Sequence, residues 1–216
     1  MSTPHVVGIG GTTRANSSTE KAVAAALAAA AEAGATTVHF TGPELAELPH
    51  YDPTDPDRHP TAERLIKELR AADGIIIGSP GYHGSISGMI KNALDYTEDM
   101  REDDRVYFEG RAVGIVATGY GWQGVVATMT TLRQIVHALR GYPTPLGAGI
   151  NSLGDAVFDA DGNVVDDKAN QQLTIVGREV TDLARRLNTG FNIIEVIVIG
   201  ANAGDDVTAV AAVLKI

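Results

Sequence analysis

The chain has 216 residues, 44% of them hydrophobic, with 24 glycines and a formal net charge of −10, which suits one α/β domain with a real core. It has no cysteine, so disulfides, thiolate metal ligands and cysteine nucleophiles are excluded. The acidic balance argues against broad nucleic-acid binding, which uses clustered Lys and Arg to neutralise phosphates.

No apolar run approaches the roughly 20 residues that a membrane-spanning helix needs. Met1 to His5 lacks the basic start and apolar stretch of a signal peptide, so the expectation is a cytoplasmic protein with neither membrane nor nucleic acid as partner. Val6 to Ile9 is a short apolar run ending in Gly10 and Gly11, which predicts a buried strand entering a turn. Ser18 to Ala33 is mostly alanine with Glu20, Lys21 and Glu32, all strong helix formers. Gly34 stops that helix, and Thr36 to Phe40 reads as the second strand. Pro49 to Pro60 holds four prolines and several aspartates and is expected to be an irregular loop. Thr61 to Ala72 predicts a helix with Leu65, Ile66 and Leu69 on one face.

Gly74 to Gly78 is a continuous apolar strand of the kind buried on both faces in parallel sheets. A turn from Ser79 to Ser85 and a helix from Ile86 to Tyr96 follow it. Ala112 to Ala117 predicts the fourth strand, Gly124 to Leu139 a helix, Leu146 to Ile150 a weaker fifth strand, and Asp167 to Leu187 a last amphipathic helix. Strand and helix alternating in this way indicate a parallel sheet covered on both faces. Phe191 to Ile199 reads as one more strand, and Asp205 or Asp206 as the cap of a short closing helix. The expected organisation is one domain over residues 1–188 and a C-terminal extension over 189–216.

Ligands of open parallel sheets bind outside the carboxyl ends of the strands. Three Gly-rich polar turns fall there. The first, Gly10 to Thr19, includes Thr12, Arg14, Ser17 and Ser18 and leads into the alanine-rich helix. Helix N-terminal N–H groups with several hydroxyls make a phosphate cradle, and Arg14 can add a charge-assisted contact. The turn lacks both the Gly-x-Gly-x-x-Gly spacing and the P-loop Lys, which favours a monophosphate; it also reads as an ordinary Ser/Thr-capped helix start. In the second turn, Pro80 restrains the chain, Gly81 and Gly84 let backbone approach a flat ligand, and Tyr82 offers an aromatic wall or a packing residue. His83 is open to three readings: a bond to the ligand, to a nicotinamide partner, or to water. The third turn is Thr118-Gly119-Tyr120-Gly121-Trp122-Gln123-Gly124, whose amides suit a developing negative charge. Trp122 stacks on a ligand, lines an interface or fills the core.

These segments resemble the NADPH-dependent FMN reductase family over roughly residues 5–187. Gly11-Thr12-Thr13-Arg14 through Ser17 is similar to its Gly-Ser-x-Arg-x-x-Ser phosphate turn, and Leu48-Pro49 with Tyr51-Asp52 to its Leu-Pro-x-(Tyr/Phe)-Asp loop. Ser79 through Tyr96 resembles its longest signature, Pro-Glu-Tyr-Asn-x-Ser-x-Pro-Gly-x-Leu-Lys-Asn-Ala-Leu-Asp-Trp, with Gly81 in place of Glu and His83 in place of Asn. The resemblance implies a flavodoxin-like three-layer α/β sandwich with a five-stranded parallel sheet in the order 2-1-3-4-5. It assigns Thr12, Arg14, Ser17 and Thr19 to an FMN phosphate. Pro80, Tyr82, His83, Gly84 and Ser85 fall to the isoalloxazine ring, and Thr118, Gly119 and Gly121 to its pyrimidine side. Lys91, Asn92 and Asp95 take structural roles in the signature helix. The implied reaction is hydride transfer from NADPH or NADH to FMN N5, with no side-chain acid or base required. FMN is either a substrate passed to a flavin-dependent monooxygenase or a bound group serving a quinone, chromate or azo acceptor. A homodimer or homotetramer is implied by resemblance alone, and a flavodoxin-type electron carrier is the reading from another class.

Overall fold

The computed structural model describes residues 3–154 and 156–189; the expected strand at 191–199 and the expected cap at Asp205 or Asp206 lie outside them. Five strands run parallel: β1 (His5–Gly10), β2 (Thr36–Phe40), β3 (Gly74–Tyr82), β5 (Ala112–Gly119) and β6 (Tyr142–Asn151), in the order β2-β1-β3-β5-β6. A two-residue strand, β4 (Ser85–Ile86), pairs antiparallel with the end of β3. Leaving β4 aside, this is the 2-1-3-4-5 order of the flavodoxin-like fold.

Side-chain alternation along the strands explains why both faces need cover. Val7, Ile9, Ile75, Ile77, Val113 and Ile115 point to one face, where α3 (Pro60–Ala71), α4 (Gly88–Asp95) and α5 (Trp122–Ala138) pack on them. Val6, Ile76, Ala112, Val116 and Ala148 point to the other, under α1 (Ser18–Glu32) and α6 (Asp167–Asn188). Ile75, Ile76 and Ile77 are fully buried, each side chain contributing about 1.5–3 kcal/mol. The alanines of α1 let α6 approach closely: a Cβ at Gly177 would collide with the Ala26 carbonyl and the Ala30 nitrogen.

Two boundaries differ from the sequence expectation in ways that shape the site. The Ser79–Ser85 segment is mostly strand, not turn: Ser79 and Pro80 continue β3 beside Ala117 and Thr118 of β5, and Gly81 and Tyr82 pair with Ile86 and Ser85. Only His83 and Gly84 form the loop, with φ of 50° and 86°, the two positive values that a tight I′ hairpin turn requires. At the sheet edge, β6 begins at Tyr142 and tolerates Pro143 and Pro145, since an edge strand has N–H groups without partners. A four-residue helix, α2 (Gly42–Leu45), and a 3₁₀ turn at Tyr96–Met100 complete the described elements.

Candidate functional site

A cleft of about 240 Å³ opens at the carboxyl ends of β1, β3, β5 and β6, lined by Thr12, Arg14, Ser17–Thr19, Pro80–Tyr82, Thr118–Tyr120, Gly124 and Ser152. All three turns singled out in the sequence therefore meet in one place.

The first wall is the entrance to α1. Ser17 caps the helix, its side chain accepting from the Glu20 N–H at 3.3 Å, and the first-turn N–H groups have no carbonyl partner within the helix. Glu20 ties this turn down from behind: it accepts from the Asn16 N–H at 3.1 Å and from the Gly42 N–H at 3.0 Å. Gly42 has to be glycine, because any Cβ there would overlap the Thr12 backbone. Thr12 accepts the Arg14 N–H at 3.2 Å, closing a small loop that leaves Arg14 exposed at the mouth. Among the described residues that line the cleft, Arg14 alone carries a formal charge. Against the −10 of the whole chain, it gives this spot local attraction for an anion.

The floor is built where α1 meets β5. Thr19 and Thr118 are both buried and their hydroxyls share a 2.6 Å hydrogen bond, fixing helix to strand. Ser79, also buried, donates to the Pro80 carbonyl at 2.9 Å and accepts from the Ser87 N–H at 3.0 Å, which anchors the outgoing hairpin to the start of α4. Gly81 is packed against α5: a Cβ there would stand 2.6 Å from the Thr128 hydroxyl oxygen and 3.0 Å from the Gly124 carbonyl. A Glu at this position therefore has no room.

The third wall follows β5. The Gly121 N–H donates to Asn151 Oδ1 at 2.8 Å, and the same oxygen accepts from the Leu153 N–H at 3.0 Å. Asn151 thus locks the Thr118–Gly121 turn, with Gly121 at φ 96°, to the loop after β6. Tyr82 and Tyr120 rise around the opening, 54% and 84% exposed.

The structure brings eleven of the fifteen expected residues into the cleft wall and leaves four outside it. His83, Gly84 and Ser85 stand exposed at the hairpin tip, and Gly121 faces Asn151. Trp122 does not fill the core: it is 58% exposed and lines a smaller cavity of about 130 Å³ with Asn151 and Gln172. Sequence reasoning named Gly124 in the third turn without giving it a role, and missed Ser152. Ser152 directly follows the fifth strand, so the rule that ligands sit at carboxyl ends, applied to that strand as well, would have found it.

Comparison with known proteins gives the family and the fold. Residues 4–162 match the family described as NADPH-dependent FMN reductase. An NAD(P)H-dependent FMN reductase of Pseudomonas aeruginosa is 31% identical over 112 residues, covering 52% of this chain and 59% of its own. An FMN-dependent NADPH-azoreductase of Staphylococcus aureus is 37% identical over 83 residues, 38% of this chain and 39% of its own. The chain thus spans about half the length of the curated relatives it matches. Among solved structures, the flavoenzyme NAD(P)H:(acceptor) oxidoreductase of Paracoccus denitrificans has the same fold, with a TM-score of 0.67 at 20% identity over 85% of this chain and 98% of that one.

Proposed function

The chain belongs to the NADPH-dependent FMN reductase family, and from that premise we propose that it reduces FMN with NADPH or NADH. The observation that carries the reading is the single cleft in which a hydroxyl-rich helix start, an extended Pro80–Tyr82 strand end and the Thr118–Tyr120 turn converge.

The residues suit the cofactor in shape and chemistry. Ser17, Ser18 and Thr19, with the free N–H groups of the first turn of α1, offer several donors to a phosphate. Arg14 adds an exposed cation at the rim. Extended backbone at Pro80–Tyr82 presents a flat surface, and Gly124 leaves space, since a Cβ there would have no heavy atom within 4 Å. When bound, FMN supplies the hydride-accepting N5 position; the protein supplies position, charge and access. Thr118–Tyr120 line the cleft, and N–H groups of this turn would stabilise negative charge developing on a reduced ring without reorganising. Tyr82 and Tyr120 stand exposed at the mouth, and a nicotinamide stacked over the flavin would gain rate by proximity.

We assign this role to residues 1–188, with 189–216 a C-terminal extension. A homodimer or homotetramer, a cytoplasmic location and a flavin-dependent monooxygenase as recipient belong to the same reading. The test is anaerobic oxidation of NADPH or NADH by purified protein with added FMN, followed at the flavin absorption band. Bleaching that saturates with FMN supports the reading. No bleaching with either nucleotide overturns it in favour of an electron carrier.

A further inference from the structure

The Thr118–Gly124 turn forms one wall of the cleft and contains Gly119, Gly121 and Gly124. Glycine gives up more conformational freedom on ordering than any other residue, so this wall needs an external hold. β5 and β6 run side by side to a last pair, Gly119 beside Asn151. The Ser152 N–H then adds one bond, to the Gly119 carbonyl at 2.9 Å. Past Gly119 the turn leaves the sheet. Tyr120 is too exposed to anchor it by packing, and Gly121, at φ 96°, starts α5 without a side-chain cap.

One side-chain oxygen takes over where the ladder stops. Asn151 Oδ1 accepts from the Gly121 N–H at 2.8 Å and from the Leu153 N–H at 3.0 Å. A side-chain amide oxygen has two lone pairs, and both are used. Because both partners are donors, the accepting atom has to be the oxygen, which fixes the orientation of the amide. Gly121 directly follows Tyr120 and Leu153 directly follows Ser152, so the two bonds join neighbours of two cleft-lining residues. A carboxylate would accept the same two N–H groups more strongly. It would also place a full negative charge beside a turn whose N–H groups suit negative charge on a ligand.

We propose that Asn151 is a positioning residue for the flavin. Its oxygen holds the Thr118–Gly121 turn and Ser152 ready for the ligand, and its neutrality avoids repelling the reduced ring. The inference rests on the flavin-reductase reading; Asn151 acts through the turn and does not itself line the cleft. A wall ordered before binding lowers what the ligand loses in ordering it.

Asn151→Leu removes the acceptor at similar size, and Asn151→Asp keeps it with a charge. Three readouts apply: amide exchange of Gly121 by NMR in flavin-free protein, FMN affinity by quenching of flavin fluorescence, and the reduction potential of bound FMN. In the Leu variant the Gly121 amide is expected to exchange at least ~10-fold faster. FMN should bind roughly tenfold more weakly, the equivalent of about one residue of backbone order. The Asp variant is expected to restore both, while the potential of bound FMN falls below that of the parent; a merely structural role would leave that potential unmoved. Parent-like Gly121 exchange or parent-like FMN affinity in the Leu variant overturns the positioning role. An unchanged or raised potential in the Asp variant overturns the role of neutrality, and this arm stands even if the Leu variant does not fold. A parent protein that fails to quench FMN refutes the reductase reading instead, and Gly121 exchange then still decides whether Asn151 holds the turn.

Discussion

Removing the guanidinium of Arg111 is expected to destabilise the fold more than any other single change at the amino ends of the strands. Arg111 is 1% exposed and donates to the carbonyls of Leu69 at 3.0 Å, Arg70 at 3.0 Å and Tyr107 at 2.9 Å, with a longer bond to Glu109 at 3.3 Å. Leu69 and Arg70 lie in the last turn of α3, so the cation also sits on the negative end of a helix dipole. Burial, with the neighbouring Arg105, pulls its pKa down to about 10; it remains charged at pH 7. In Arg111→Met the three short bonds go, each to a charged donor and each worth ~1.5–3 kcal/mol. Relief from burying a charge offsets several kcal/mol of that loss. A net destabilisation of about 3 kcal/mol follows, or a Tm lower by about 6–12 °C for a domain of this size. Arg111→Lys keeps the charge but lacks the planar fork, and is expected to recover about half. Urea unfolding followed by circular dichroism measures both variants. A Met variant within about 1 kcal/mol of the parent would refute the reasoning, because it would mean that the freed carbonyls are satisfied without the guanidinium.

Gly124→Ala is expected to raise stability by about 0.5–1 kcal/mol, since the new methyl meets no neighbour and glycine is costly in a helix; the same change should weaken FMN binding, read by quenching of flavin fluorescence. Thr118→Val leaves the Thr19 hydroxyl buried without its 2.6 Å partner, at a cost of about 1–3 kcal/mol seen in thermal unfolding. Gly177→Ala drives a Cβ into the backbone of α1, and a loss of about 1–3 kcal/mol should separate α6 protection from that of the sheet in hydrogen exchange. Asp99 is hydrogen-bonded by the Arg58 guanidinium at 2.7 and 2.8 Å, which outweighs its burial and holds its carboxyl below the usual 3.8. Its contribution is therefore fully present above about pH 3.8 and lost as the pH falls through the lower, folded value. Asp99→Asn should flatten that part of an acid-unfolding curve.

The alternation of apolar strands with amphipathic helices was enough to specify a parallel sheet covered on both faces, because the side-chain periods of strand and helix are local geometry. The first turn was legible for the same reason: Ser17 caps α1, and the start of any helix leaves its first N–H groups without carbonyl partners in the helix. Local pattern does not carry pairing. Ser79 to Tyr82 reads as a turn because Pro80 and Gly81 disfavour strand in isolation, yet β5 on one side and β4 beyond hold it extended, leaving His83 and Gly84 alone at the bend. That displacement lifted His83, Gly84 and Ser85 out of the cleft. Asn151 carried no signal, since its importance comes from two amides that approach it from a turn thirty residues earlier and from its own loop. The sequence alone determined the elements and the chemistry of three turns. Tertiary structure decided which of those side chains share a cavity, because burial and long-range hydrogen bonding depend on neighbours that the local chain does not encode.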